Sequence, residues 1–282
     1  MTEQKTNKLN WLERNLPEGL VVDASWMTKH GYSTSLRSQY VSAGWLEQPA
    51  RGIYRRPRGT LVWQQVVISL QTLLEQKLVV GGRTALELQG YAHYLPRTDK
   101  EVHLYGPKRP PKWLHDLRLG ARFVYHNDGK LFRDEAIKHP LANLKGTTDK
   151  GASDSTEPLH GSLIEQPWGQ WSWSLTLSAP ERAILELLDE LPKHETFHQV
   201  DMLIEGVANL SPRRLQKLLE DCHSVKVKRL LLFFADRHPH AWAKRLNKQA
   251  IFLGNGKRML VKGGKLNKTY QITVPEDLDA VR

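Results

Sequence analysis

The alternation of apolar and polar positions divides the chain into short elements from its first residues. Asn10 to Asn15 sets Trp11 and Leu12 in a short helical pattern that Pro17 and Gly19 stop, and Leu20-Val21-Val22 reads as a brief extended lead-in. Asp23 is a good N-cap for a helix over Ala24 to Lys29, which Gly31 closes. Ser33 or Thr34 caps a second helix to about Ala43, ended by Gly44. Two short helices across a tight turn with a glycine predict a helix-turn-helix. Trp45 to Gln48 and Gly52 to Arg55 are strand-like pieces around Pro49-Ala50-Arg51, a hairpin of the kind called a wing. Trp63 to Lys77 carries Val66, Val67, Leu70, Leu73 and Leu74 at helical spacing, and Thr84 to Gln89 after Gly81-Gly82 continues in the same period. The first unit therefore closes near residue 90.

Beyond it the periods mix. Glu101 to Tyr105 and Arg122 to His126 alternate as strands do, with a short helix in Pro110 to Leu117 between them. In 145–162 only Ala152 and Leu159 are apolar, which predicts a flexible surface loop. Trp168 to Leu177, with Trp171, Trp173, Leu175 and Leu177 on one face, reads as a strand or hairpin. Ala179 to Leu191 has a helical face of Ile184, Leu187, Leu188 and Leu191. Helices follow over Phe197 to Val207, Ser211 to Asp221 and Val225 to Arg237, with a further piece at Trp242 to Leu246. Gly254-Asn255-Gly256 is a turn signal, and Thr269 to Val274 is a last strand. The fold class is α+β: an N-terminal winged helix-turn-helix domain over 1–90, then a larger mixed α/β C-terminal domain over 95–282.

A length of 282 residues suits about two domains, and 40% hydrophobic residues with nine tryptophans can fill real cores. The single cysteine, Cys222, excludes an internal disulfide framework and any cysteine-based zinc finger, and fits a reducing compartment. With a polar N-terminus and no apolar run near bilayer length, the expectation is a cytoplasmic protein with no membrane partner. The net charge of +11 favours polyanionic partners, and its distribution refines the inference. Residues 1–60 carry +4, whereas 213–268 carry fifteen bases against three acids, or +12.

On the second helix of the front unit, 100° per residue places Leu36, Tyr40 and Ala43 on one face and Thr34, Ser35, Ser38 and Ser42 opposite, with Arg37 on the flank. Small hydroxyl side chains can enter a major groove, and an arginine beside them can pair with guanine. The wing adds Arg51, Tyr54, Arg55, Arg56 and Arg58, placed to grip phosphates. A small helical bundle of ordinary polarity, or a winged helix used only for protein contact, would carry the same spacing. In the C-terminal unit, Ser211-Pro212 opens a helix whose first turns hold Arg213, Arg214 and Lys217. Lys226, Lys228 and Arg229 continue the basic surface, and Lys257, Arg258, Lys262 and Lys265 flank the last strands. This set reads either as an anion-binding surface or as a solvated face.

Catalytic patterns are sparse. His194-Glu195-Thr196-Phe197-His198 matches HExxH, which on one helix sets two imidazoles on zinc with Glu195 as base. Pro192 and Lys193 immediately precede it, so His194 falls at or before the helix start and the register is not assured. Asp116 with Asp128-Gly129-Lys130 imitates a nuclease pattern on what is a turn. Neither pattern carries an enzyme reading, and no metal or cofactor is expected.

The sequence resembles the AbiEi family of antitoxins and transcriptional regulators of type IV toxin–antitoxin (abortive infection, phage-defence) systems. In the front unit the resemblance is carried by Ser35 to Val41, Gly44-Trp45-Leu46, Gly52-Ile53-Tyr54-Arg55 and Gly81 to Leu88; in the back unit by Leu210 to Leu219, Phe234 to His238, Arg258 to Lys265 and Tyr270 to Pro275. It implies a non-enzymatic, two-part protein. The winged helix would bind inverted repeats in operator DNA and repress its own operon. The C-terminal domain would counter a nucleotidyltransferase-like toxin without a stable complex. Two alternatives from the residues are a zinc-dependent hydrolase using His194, Glu195 and His198, and a basic RNA-binding protein.

Overall fold

The computed structural model describes residues 2–91, 101–133, 162–169 and 173–279. The expected flexible loop at 145–161 and the proposed unit boundary at 95 lie outside them, and Ser162 is buried.

The front unit runs helix, strand, helix, helix, strand, strand: α1 (Thr2–Asn15), β1 (Val21–Asp23), α2 (Ala24–Lys29), α3 (Thr34–Ser42), β2 (Glu47–Ala50) and β3 (Ile53–Arg55). The three strands form an antiparallel sheet in the order β1-β3-β2, with Val22 opposite Tyr54 and Ala50 opposite Ile53. Local chemistry sets the helix ends as expected. The Asp23 carboxylate accepts from the Trp26 amide at 2.7 Å and the Ser33 hydroxyl from that of Leu36 at 3.2 Å. Gly31 leaves α2 in the left-handed region at φ 81°, which turns the chain into α3. The helix α1 is longer than the Asn10–Asn15 pattern predicts, and its Leu12 and Leu16 pack under the sheet with Val21, Val22, Met27 and Ile53.

A second sheet has five strands in the order β6-β5-β4-β8-β7: β4 (Val79–Val80), β5 (Glu101–Gly106), β6 (Arg122–Asn127), β7 (Leu163–Trp168) and β8 (Trp173–Ser178). It mixes directions: β5 runs parallel to β6 and β4 to β8, whereas β4–β5 and β7–β8 are antiparallel. The helix α4 (Trp63–Thr72) joins the two sheets. Its Ser69 hydroxyl accepts from the Val21 amide of β1 at 2.9 Å, while the Gln71 side chain bonds both the amide and the carbonyl of Thr176 in β8 at 3.0 Å. After α4 the chain enters the second sheet: Val80 pairs with Leu104 and Leu177, and α5 (Gly82–Leu88) packs on α6 (Pro180–Asp189). Residues 79–88 thus supply β4 and α5 to the five-stranded sheet and the helix packed on it.

The helix α6 is buried along nearly its whole length and lies against α5, α7 (Phe197–Gly206), α8 (Pro212–Asp221) and α9 (Val225–Arg237). The chain ends in a small hairpin, β9 (Lys265–Asn267) and β10 (Ile272–Val274), and a last turn α10 (Glu276–Asp279). The fold class is α+β. Among the described residues no helix is long and apolar enough to cross a membrane.

Candidate nucleic-acid interface

The outer face of α3 is as the helical period predicts: Thr34, Ser35, Ser38 and Ser42 are exposed, together with Gln39. Leu36, Arg37, Tyr40 and Val41 form the inner side, whereas Ala43, expected there, is exposed at the C-cap where the helix ends. The face therefore offers hydroxyls and one amide and no charged group. Trp45, in the turn between α3 and β2, is 49% exposed beside it.

The arginines are placed differently from the sequence expectation. Arg37 does not face a groove: it is 6% exposed, and its Nη1 donates to the Ala24 carbonyl at 2.7 Å and the Thr28 hydroxyl at 3.3 Å. Its Nη2 donates to Thr34 Oγ1 at 2.9 Å, and the guanidinium lies 5.5 Å from the ring of Tyr54. Arg37 thus fixes α2, α3 and β3 relative to one another, because a guanidinium of fixed fork geometry can satisfy several acceptors at once. Tyr54 is the buried platform for that group and is not a surface contact. Arg55, 7% exposed, bonds Glu47 at 2.6 Å across the β2–β3 pair and the Gly59 carbonyl at 2.8 Å. Arg56 donates to the Glu13 and Leu16 carbonyls at 3.0 and 3.3 Å, capping the C-terminus of α1, and pairs with Glu18, as Arg58 does. Of the wing set only Arg51 stands exposed, at the tip beside Gly52. A charge count does not separate arginines that reach outward from those that hold the frame. Gln39 and Trp45 were missed because neither is basic, although Gln39 falls on the same helical face as Ser35 and Ser42.

The C-terminal basic set divides likewise. Arg229 is buried and donates to the carbonyls of Leu253, Gly254, Gly256 and Gln271 at 2.7–3.2 Å. Lys228 is buried, and desolvation lowers its pKa. Lys226 donates to the carbonyls of Asp189 and Leu191, and Arg214 pairs with buried Glu181 at 3.0 Å. Arg229, Lys226 and Arg214 are internal fastenings of α6, α8, α9 and the last loop, and buried Lys228 lies inward with them. Arg213, Lys257, Arg258, Lys262 and Lys265 are exposed, and Lys217 is half-buried.

The HExxH residues do not share a helix. Thr196 caps α7, so His194 precedes it; buried Glu195 is paired with Arg83, and exposed His198 bonds Asp277 at 2.5 Å. Among the described residues no cluster of histidine, cysteine or carboxylate side chains could hold a metal ion. Asp128 is buried 3.8 Å from Arg182, and burial pushes the Cys222 thiol up to about 11, away from nucleophilic use.

One buried titratable chain was not read from the sequence. His103 Nδ1 lies 2.9 Å from His126 Nε2, and His126 Nδ1 lies 2.9 Å from a Glu190 oxygen. The two contacts are compatible in one arrangement: His126 donates to Glu190 and accepts from His103. A proton on each ring would set two N–H groups face to face. Burial first, and the neighbouring His126 second, lower His103 to about 4. The chain ties β5 and β6 to the end of α6.

Residues 5–97 match the family described as "Transcriptional regulator, AbiEi antitoxin N-terminal domain", and residues 99–275 match "Transcriptional regulator, AbiEi antitoxin, Type IV TA system". The fold is similar to that of the RV2827C protein from Mycobacterium tuberculosis, with a TM-score of 0.53 and 16% sequence identity over 95% of this chain and 89% of that one. No curated protein matches the sequence. The chain belongs to the AbiEi family of transcriptional-regulator antitoxins of type IV toxin–antitoxin systems.

Proposed function

We propose that this protein represses its own operon by placing α3 in the major groove of operator DNA, and that its C-terminal unit counters a nucleotidyltransferase-like toxin without forming a stable complex. The element order helix, strand, helix, helix, strand, strand with the sheet order β1-β3-β2 is that of a winged helix, and it supports this reading. The observation that carries it is the outer face of α3. Its exposed Thr34, Ser35, Ser38, Gln39 and Ser42 are small or amide side chains that can approach base edges, with Gln39 suited to adenine and the hydroxyls to bases or phosphates. Arg51 at the wing tip supplies a phosphate contact. An operator of inverted repeats would engage two copies, one on each half-site.

The test is retardation of the chain's own promoter fragment. Ser38→Glu sets a carboxylate against the phosphates without touching the core, so affinity falls at least about tenfold while the melting temperature stays unchanged. Undiminished binding by this variant would overturn the placement of α3.

A further inference from the structure

Residues 237–275 hold nine lysines and arginines and no aspartate or glutamate. The same stretch carries the two most exposed large apolar side chains among the described residues, Phe252 at 73% and Met259 at 76%. The fold brings the two features together. One buried guanidinium, that of Arg229, grips the carbonyls of Leu253, Gly254, Gly256 and Gln271. Phe252 adjoins the first of these and Lys257 the third, while the Arg258 amide donates to the carbonyl of Gln271 at 2.9 Å. Beyond Arg258, the amides of Leu260 and Val261 both donate to Thr273 Oγ1, and Lys265 lies opposite Val274 in the hairpin. Gly254 and Gly256, at φ 60° and 78°, make the bend that lets the chain return. A charged side chain is thus spent on holding a loop whose outward groups are a phenyl ring and cations.

We infer that this edge, with Phe252 as its platform and Lys257, Arg258, Lys262 and Lys265 as its cations, binds single-stranded nucleic acid. The inference rests on the C-terminal surface being a polyanion contact and names the polyanion. Unpaired bases offer the flat faces that an exposed aromatic ring stacks on, and the sugar-phosphate backbone supplies the charge that an acid-free stretch attracts. A duplex hides its base faces, so the ring would add nothing there. An acidic protein surface would use the lysines and leave Phe252 idle.

The test uses the full-length chain and a fluorescent oligouridylate of about 12 nucleotides, within the site sizes of such platforms. Phe252→Ala weakens binding roughly tenfold and Phe252→Trp restores it, as expected for a stacked base. Lys257→Gln and Arg258→Gln each reduce the slope of log affinity against log salt by about 0.7. Unlabelled oligouridylate and oligothymidylate displace the probe, the stronger of the two assigning RNA or DNA, whereas a duplex of equal length does not. Failure of the wild-type chain to bind the probe at low salt, wild-type affinity in Phe252→Ala, or equal displacement by duplex or by an acidic polypeptide would each overturn the assignment. Retardation of the promoter fragment is measured in the same variants. Its persistence in Phe252→Ala separates this site from α3, and its absence in the wild-type chain would sink the operator reading while leaving the oligouridylate result to stand alone.

Discussion

The two basic regions of the molecule place their cations differently. In the front unit Arg37, Arg55, Arg56 and Arg58 all turn to carbonyls or carboxylates, and the outer face of α3 is neutral, with Arg51 exposed at the β2–β3 turn. In the C-terminal unit Arg214, Lys226, Lys228 and Arg229 are likewise turned inward, but Lys257, Arg258, Lys262 and Lys265 line up exposed along the last loop and hairpin. The difference teaches that net charge identifies a partner class only after the cations that build the fold have been subtracted. A front unit of +4 leaves hydroxyls and an amide on the outer face of α3, because four of its nine bases are structural. The +12 of the back unit is nearer to being a surface.

Arg229→Ala should break this comparison most severely. It removes the guanidinium that bonds the Leu253, Gly254 and Gly256 carbonyls, each worth about 1–3 kcal/mol if left without a partner, part of which water recovers, while the Gln271 carbonyl keeps the Arg258 amide. The expected loss is about 3 kcal/mol or more, read as a fall in the denaturation midpoint with the hairpin exchanging its amides freely. A midpoint shifted by less than about 0.5 kcal/mol would show that the loop does not depend on Arg229.

Next in size is an effect of pH. His103 titrates near 4 in the folded chain against 6.5 unfolded, so between these values the unfolded state binds the extra proton. The stability due to neutral His103 is complete above pH 6.5 and is lost as pH falls toward 4, by at most about 3 kcal/mol. His126, Glu190, Glu101 and Arg83 face the ring, the two carboxylates opposing part of the loss and the two bases adding to it. Glu190, held below its ordinary range mainly by its bond to His126 against burial, loses its contribution only at still lower pH. The variant His103→Asn should flatten the curve of melting temperature against pH between 4 and 6.5, and an unchanged curve would remove His103 from the account.

Much of the local structure was legible because its causes are local. Asp23, Ser33 and Ser211 cap helices through their own side chains, and Gly31 and Gly44 take the positive φ that helix ends require. What could not be read depends on distant partners. Val79-Val80 is too short to announce a strand, and its place between β5 and β8 is set by residues about 25 and 100 positions away. The outer face of α3 followed from the helical period, yet the burial of Arg37 did not. The carbonyl of Ala24, the hydroxyl of Thr28 and the ring of Tyr54 meet only once the sheet and both helices are assembled. Phe252 gave no signal, because a single aromatic residue between apolar neighbours reads as core.

The smallest effects on stability sharpen the comparison most within the front unit, through Arg37→Ala and Arg51→Ala measured side by side. Arg37→Ala removes charge-assisted hydrogen bonds to Ala24 and to two hydroxyls, so it should lower stability by roughly 2 kcal/mol. Its binding should weaken only as far as the folded fraction falls, and should recover at low temperature where that fraction is restored. Arg51→Ala loses no partner among the described residues and should leave stability within about 0.5 kcal/mol. Its affinity for the promoter fragment should nevertheless drop, with the slope of log affinity against log salt reduced by about 0.9, the signature of one lost phosphate contact on duplex DNA. The slope for Arg37→Ala should match the wild type, because a guanidinium bound to protein oxygens displaces no counterions from DNA. A changed slope in Arg37→Ala with an unchanged one in Arg51→Ala would reverse the assignment of which front arginine reaches the phosphates.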